Sequence, residues 1–143
     1  MYEENGRYYM FLKSEGKPSH VILVEGDSVT GPFRRVEEFD RCMETLEQGL
    51  YEAPTAFKTA DGRWCLMLDF YGCGAEGQGY VPFLADTMAS GHFERSDAAF
   101  SFPYGFKHGT ILAITEEEYE RMKNHDWTNI PDGRQVDKRT VME

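Results

Sequence analysis

Runs of aromatic and aliphatic residues recur along this chain behind turn glycines, and their short length and spacing predict strands. Gly6-Arg7-Tyr8-Tyr9-Met10-Phe11-Leu12-Lys13 is echoed 56 residues later by Gly62-Arg63-Trp64-Cys65-Leu66-Met67-Leu68-Asp69. Thr30-Gly31-Pro32-Phe33-Arg34-Arg35 is echoed 60 residues later by Ser90-Gly91-His92-Phe93-Glu94-Arg95. Between the members lies a further apolar run, His20 to Glu25 in the first copy and Tyr80 to Asp86 in the second. Two echoes in one order and at nearly one offset describe a repeated meander: strand, hairpin, strand, and a short outer strand ending in a turn. Strands are expected near 7–13, 20–25, 54–59, 63–70, 79–86 and 110–114. Such units leave apolar faces that neighbours must cover, the logic of propeller blades, and the offset exceeds the ~40–45 residues of compact blades, as inserted loops would make it do.

Two segments carry helical signals. Val36, Phe39, Met43 and Leu46 recur at spacings of 3, 4 and 3, which puts them on one helical face with Glu37, Glu38, Arg41 and Glu44 turned to water. A loop is the alternative there, and Gly49 is the expected terminator. The second helix is better defined. Thr115 followed by Glu118 forms a capping box, Ile114 can pack on Tyr119 as a hydrophobic staple, and the helix should run to about Lys123. Its acidic first turn, Glu116 to Glu118, suits the helix dipole and is explained by it. From Asp132 onward the chain is polar except for Val136, and a frayed end is expected.

Composition narrows the function. A chain of 143 residues is one ordinary domain or part of a larger one, and 41% apolar with 14% aromatic residues fits a globular fold with a true core. Fifteen basic against twenty-five acidic side chains give a net charge of −10, which disfavours nucleic acid and anionic membrane surfaces as partners. No basic leader precedes an apolar stretch at Met1, and no run approaches the roughly 20 residues that span a bilayer. Cys42, Cys65 and Cys73 are odd in number, without paired ligand spacing, and read as reduced thiols, so a cytoplasmic location is expected.

Candidate chemistry concentrates in two places. Leu50-Tyr51-Glu52-Ala53-Pro54 sets an acid among apolar residues before a proline that should hold Ala53 extended. Partly desolvated, Glu52 could have a raised pKa and serve as a general acid; a glutamate at a strand mouth paired with Arg or Lys is the structural alternative. In Tyr104-Gly105-Phe106-Lys107-His108-Gly109, His108 could donate to a carboxylate or a ligand hydroxyl, sit on water near a metal, or be a buried hydrogen-bonded histidine. His20, His92 and His125 are scattered, so no metal-ligand cluster is visible and none is expected. Gly72, Gly74, Gly77 and Gly79 lack the Gly-Lys-Ser/Thr ending of a phosphate loop and read as a rim loop or hairpin.

At this point the residues carry a resemblance. Glu52-Ala53-Pro54-Thr55-Ala56-Phe57-Lys58, then Asp61 to Asp69, then Phe102-Pro103 and Lys107-His108-Gly109-Thr110 resemble the second half of a family 43 glycoside hydrolase. Members of that family are five-bladed β-propellers, mostly arabinofuranosidases, xylosidases and endo-arabinanases, acting with inversion. The resemblance covers roughly residues 6–124 and implies an all-β fold: part of a five-bladed propeller, with about two antiparallel blades, a closing strand and a short C-terminal helix. Blade-like repeats would occupy about 6–50 and 51–100, a closing segment 101–124 and a tail 125–143 of a single partial domain. It further implies Glu52 at the general acid position and His108 at that of a central histidine that lies on water near a calcium or sodium ion, with no cofactor otherwise required. Lys107, Tyr80 and Tyr104 would join His108 in binding substrate. The family usually has Glu-Gly-Pro and Arg-His-Gly; Ala53 is a mild change if its φ is negative, and Lys107 loses the planar donor fork of arginine.

Read as a C-terminal portion only, the chain lacks the blade that supplies the general base, whereas inversion needs a second carboxylate about 6.5–9.5 Å from the acid. Asp27, Asp40 and Asp69 do not match either missing carboxylate of the family. The expectation is a glycosidase-lineage protein, directed at arabinose- or xylose-containing glycosides, inactive alone, and self-associating through uncovered blade faces. The alternative is a non-catalytic carbohydrate-binding or assembly module with Tyr51, Trp64, Tyr80, Phe83 and Tyr104 as stacking surfaces, Trp64 being better suited to the core and Tyr80 and Tyr104 to exposure.

Overall fold

The structure, a computed structural model, describes residues 1–16, 21–46, 50–71, 79–96 and 107–126. It falls into two compact units, Met1–Ile111 and Leu112–Glu143. The first unit holds two four-stranded antiparallel sheets, each a meander in chain order. Strands β1 (Tyr2–Glu4), β2 (Arg7–Lys13), β3 (Val21–Gly26) and β4 (Arg34–Arg35) form the first sheet; helix α1 (Glu37–Glu44) follows. Strands β5 (Leu50–Lys58), β6 (Trp64–Tyr71), β7 (Gly79–Ala85) and β8 (Glu94–Arg95) form the second. In the second unit, helix α2 spans Glu116–Lys123. Among the described residues no helix is long and apolar enough to cross a membrane.

The repeat seen in the sequence is thus a repeat of sheets. Gly31 and Gly91 both have positive φ (79° and 64°) and close turns by donating to Ser28 O and Met88 O at 3.0 and 3.1 Å. Each turn delivers the chain into a two-residue outer strand, β4 or β8, as the echoed motif predicts. Two boundaries depart from expectation. Strand β1 was not anticipated; Asn5 and Gly6, with φ of 53° and 78°, form the tight hairpin that folds Tyr2–Glu4 back on Arg7–Tyr9. Conversely, residues 110–114 form no strand. Leu112 and Ile114 are exposed, so these positions lack the cross-strand and core contacts that would reward extended pairing.

The core lies between the sheets and α1. Val36, Phe39 and Met43 are buried as their spacing requires, Leu46 packs against the same cluster, and Glu37, Glu38, Arg41 and Glu44 are exposed. Phe39 meets Phe11 of β2 and Phe93 beside β8 edge to face, with centroids 5.4 and 5.6 Å apart. One apolar cluster therefore joins both sheets, drawing Tyr9 and Leu23 from the first and Leu66, Leu68 and Phe83 from the second. Strand β6 is buried on both faces: Trp64, Leu66 and Leu68 enter this cluster, while Cys65 and Met67 pack with Tyr80 in a second one. The alternation carries Asp69 onto the face of Cys65 and Met67, and this sets up the site.

Helix α2 begins as its signature predicts. Glu118 N donates to the Thr115 hydroxyl at 3.2 Å, and Thr115 N donates to the Glu118 carboxylate at 2.8 Å. The proposed staple partners Ile114 and Tyr119 each stay about half exposed. Gly49, Cys73, Tyr104, Trp127, the glycines at 72, 74 and 77, and the polar tail lie outside the described residues.

Candidate functional site

The β5–β6 and β6–β7 registers place Glu52 opposite Asp69 and Asp69 opposite Tyr80, so one cross-strand row holds two acids and a tyrosine. Immediately after Glu52 the β5 register shifts by a bulge. Ala53 adopts φ +48°, a conformation L-residues other than Asn and Asp rarely take. Both expectations for Ala53, extended backbone before Pro54 and a mild exchange for glycine at negative φ, are corrected by this bulge.

Asp69 has no exposed surface. Its carboxylate is answered from the loop after residue 106: the His108 ring Nδ1 lies 2.7 Å away, and the His108 backbone N–H donates to both oxygens at 3.2 and 3.3 Å. Burial pushes the Asp69 carboxyl above the usual aspartate range, against the pull of the His108 contacts and Lys107. His108 itself has φ +51°. That strained backbone is held by the Asp69 contacts and by the next residue, whose carbonyl accepts from Tyr80 Oη at 2.8 Å.

Glu52 completes the centre from the other side. Its Oε1 is 4.0 Å from His108 Nε2, and its Oε2 accepts from Lys13 Nζ at 2.8 Å. Lys13 ends β2 in the first sheet and also donates to Tyr71 Oη of β6 at 3.1 Å. The hydrogen-bonded Lys13 ammonium holds the Glu52 carboxyl below the usual glutamate range, partial burial opposing it. This corrects the expected raised pKa: the carboxyl is held down, not pushed up.

The structure thus brings Glu52 and His108 together, with Lys107 exposed beside them. It places Tyr80 beneath them, only 9% exposed, which corrects its expected exposure. Tyr51, Trp64 and Phe83 are buried too, so none of these rings offers a face to a sugar. Sequence reasoning missed Asp69 and Lys13 as members of the site. A signal existed: Asp69 interrupts the apolar run of β6, where a carboxylate is costly without partners, and the echoed segments end on Lys13 and Asp69 at equivalent positions.

Glu52, Asp69 and His108 each offer a donor atom within 4.8 Å of the others, a spacing at which the three could hold one metal ion. The three are scattered in sequence and assembled only by the fold. As they stand, however, their partners are already chosen: Lys13 takes Glu52 Oε2, and the His108 ring and backbone take the Asp69 oxygens. An added cation would therefore compete with Lys13 for Glu52 and with His108 for Asp69.

Neither the curated proteins nor the solved structures supply a match to this chain. A family model does, and it runs over residues 1–120. A match that begins at residue 1 and takes in both sheets and the site overturns the expectation that the chain corresponds only to the C-terminal portion of a larger enzyme domain. With its two meandering sheets and an acid–histidine centre between their strands, the chain belongs to the family described as a probable glycosyl hydrolase domain, related to glycoside hydrolase family 43.

Proposed function

We propose that the centre around Glu52 and His108 recognises arabinose- or xylose-containing glycosides and does not by itself hydrolyse them. The observation that carries this reading is the Lys13–Glu52 pair: a carboxylate fixed by an ammonium group is an acceptor for sugar hydroxyls and a poor general acid. His108 Nε2 faces the same space with its ring oriented from behind by Asp69, and Lys107 adds a donor at the rim. Inversion would need a second carboxylate about 6.5–9.5 Å from the first, with room for water between them. Glu52 and Asp69 are closer than that and Asp69 is sealed from solvent, so they do not supply such a pair. Self-association through uncovered sheet faces and edges is proposed as well, to be read by sedimentation at micromolar concentration.

The test is calorimetry of the full chain with arabino- and xylo-oligosaccharides, beside turnover of aryl α-L-arabinofuranosides and β-D-xylosides. Binding weakened about 10-fold or more by Glu52→Gln, with no turnover in either protein, is the expected result. Turnover abolished by Glu52→Gln would overturn the non-hydrolytic part. Absence of binding to every pentose glycoside would overturn the recognition part.

A further inference from the structure

We infer that Lys13 is the resident cation at Glu52: its ammonium group holds the carboxylate that a metal ion shared with Asp69 and His108 would need, and the native protein excludes divalent cations there. The inference is independent of which sugar, if any, the centre binds.

Geometry comes first. Lys13 Nζ stands 2.8 Å from Glu52 Oε2, a charge-assisted hydrogen bond at its usual length. It is not a loose surface pairing, since two further groups fix the ammonium: Tyr71 Oη at 3.1 Å and the Tyr71 ring, 5.0 Å from Nζ to centroid. Both Lys13 and Glu52 side chains are about a quarter to a third exposed, so the pair is partly desolvated. Two contacts come from β5 and β6 and the lysine from β2, so the charge is delivered across the two sheets by the fold itself.

Charge balance gives the second argument. The facing groups are the carboxylates of Glu52 and Asp69, the ammonium groups of Lys13 and Lys107, the imidazole of His108, and Glu15, a largely exposed acid 3.5 Å from Lys13 Nζ. Lys13 answers Glu52 directly, His108 answers Asp69, and the exposed Lys107 adds a further positive charge near both carboxylates. A divalent ion bound by all three residues would compete with Lys13 for Glu52 and with the His108 ring and backbone for Asp69, and it would meet repulsion from both lysines. Metal sites in proteins require deprotonated, available ligands, and here Glu52 Oε2 and both Asp69 oxygens are already engaged.

The experiment is titration of the full chain with CaCl2 and MnCl2, followed by calorimetry and by paramagnetic broadening of backbone amide resonances. The native protein should give no saturable binding at this centre and no selective Mn2+ broadening of the Glu52, Asp69 and His108 amides. Lys13→Met should gain a single site, tighter than any in the native protein by about 10-fold or more, and the added change Glu52→Gln should remove it. Selective broadening of those amides in the native chain would overturn the inference. A folded Lys13→Met protein that binds Mn2+ no better than native would overturn it too. The broadening measurement needs no variant, so it decides the matter even where Lys13→Met fails to fold.

Discussion

The His108 ring and backbone both close on the carboxylate of Asp69, at 2.7 Å through Nδ1 and at 3.2 and 3.3 Å through the main-chain N–H, and Asp69 is wholly buried. The acid thereby acts on the site without being accessible to a ligand. It fixes the ring so that Nε2 faces Glu52, and it anchors a backbone residue in a left-handed conformation.

Asp69→Asn should therefore disturb His108 more than it disturbs the fold. The amide keeps the size of the side chain and removes a buried charge, so a loss of about 1–3 kcal/mol is expected on urea unfolding. In the native protein, nitrogen shifts of the imidazole should report a proton on Nδ1; the variant should show a mixture of tautomers.

The pair of arginines at Glu25 gives a pH dependence remote from the site. Burial raises the Glu25 carboxyl, but Arg34 and Arg7, each bonded at 2.9 Å, outweigh it and hold the carboxyl below the usual range. A lowered folded pKa means that the unfolded chain binds the proton more readily, so the stabilisation is present above the unfolded value of about 4.3 and disappears as pH falls through the folded value. Thermal melts of native protein and Glu25→Gln should differ at pH 7 and converge as pH falls through the folded value.

Glu4 ties the first strand to the second sheet. Its carboxylate is buried and accepts from Trp64 Nε1 at 2.6 Å and from Met88 N at 2.8 Å. Glu4→Ala leaves both donors unsatisfied and should cost about 3 kcal/mol or more, while Glu4→Gln, which keeps an acceptor for one of them, should cost about half of that. Urea unfolding followed by tryptophan fluorescence separates the two.

Ala53 pays for the bulge with its φ of +48°. Ala53→Gly removes the Cβ clash of the left-handed region at the expense of a more flexible unfolded chain, and a net gain of about 0.5–1 kcal/mol is expected in equilibrium unfolding. A loss of stability would show that the Cβ makes a contact worth more than the strain.

What the sequence determined by itself is what neighbouring residues decide. The 3, 4, 3 spacing of Val36, Phe39, Met43 and Leu46 needs only the helical period to bury one face, and the Thr115–Glu118 box closes within one turn, so both helices were legible. The echoed glycine motifs likewise specified two turns and the short strands after them. Strand β1 was legible in principle, through Asn5-Gly6, but three residues are too short for an alternating pattern to declare itself. Of the site, the sequence pointed to Glu52, His108, Lys107 and Tyr80, but not to Lys13 or to Asp69 as a partner of the histidine. These two depend on register and on contacts across the chain: Lys13 reaches Glu52 over 39 positions, and His108 reaches Asp69 over another 39. Whether the Glu52 carboxyl is pushed up or held down, and whether Tyr80 is open or buried, turned on those partners. Electrostatic interactions fall off with distance in space and take no account of separation along the chain, so only the tertiary structure could decide them.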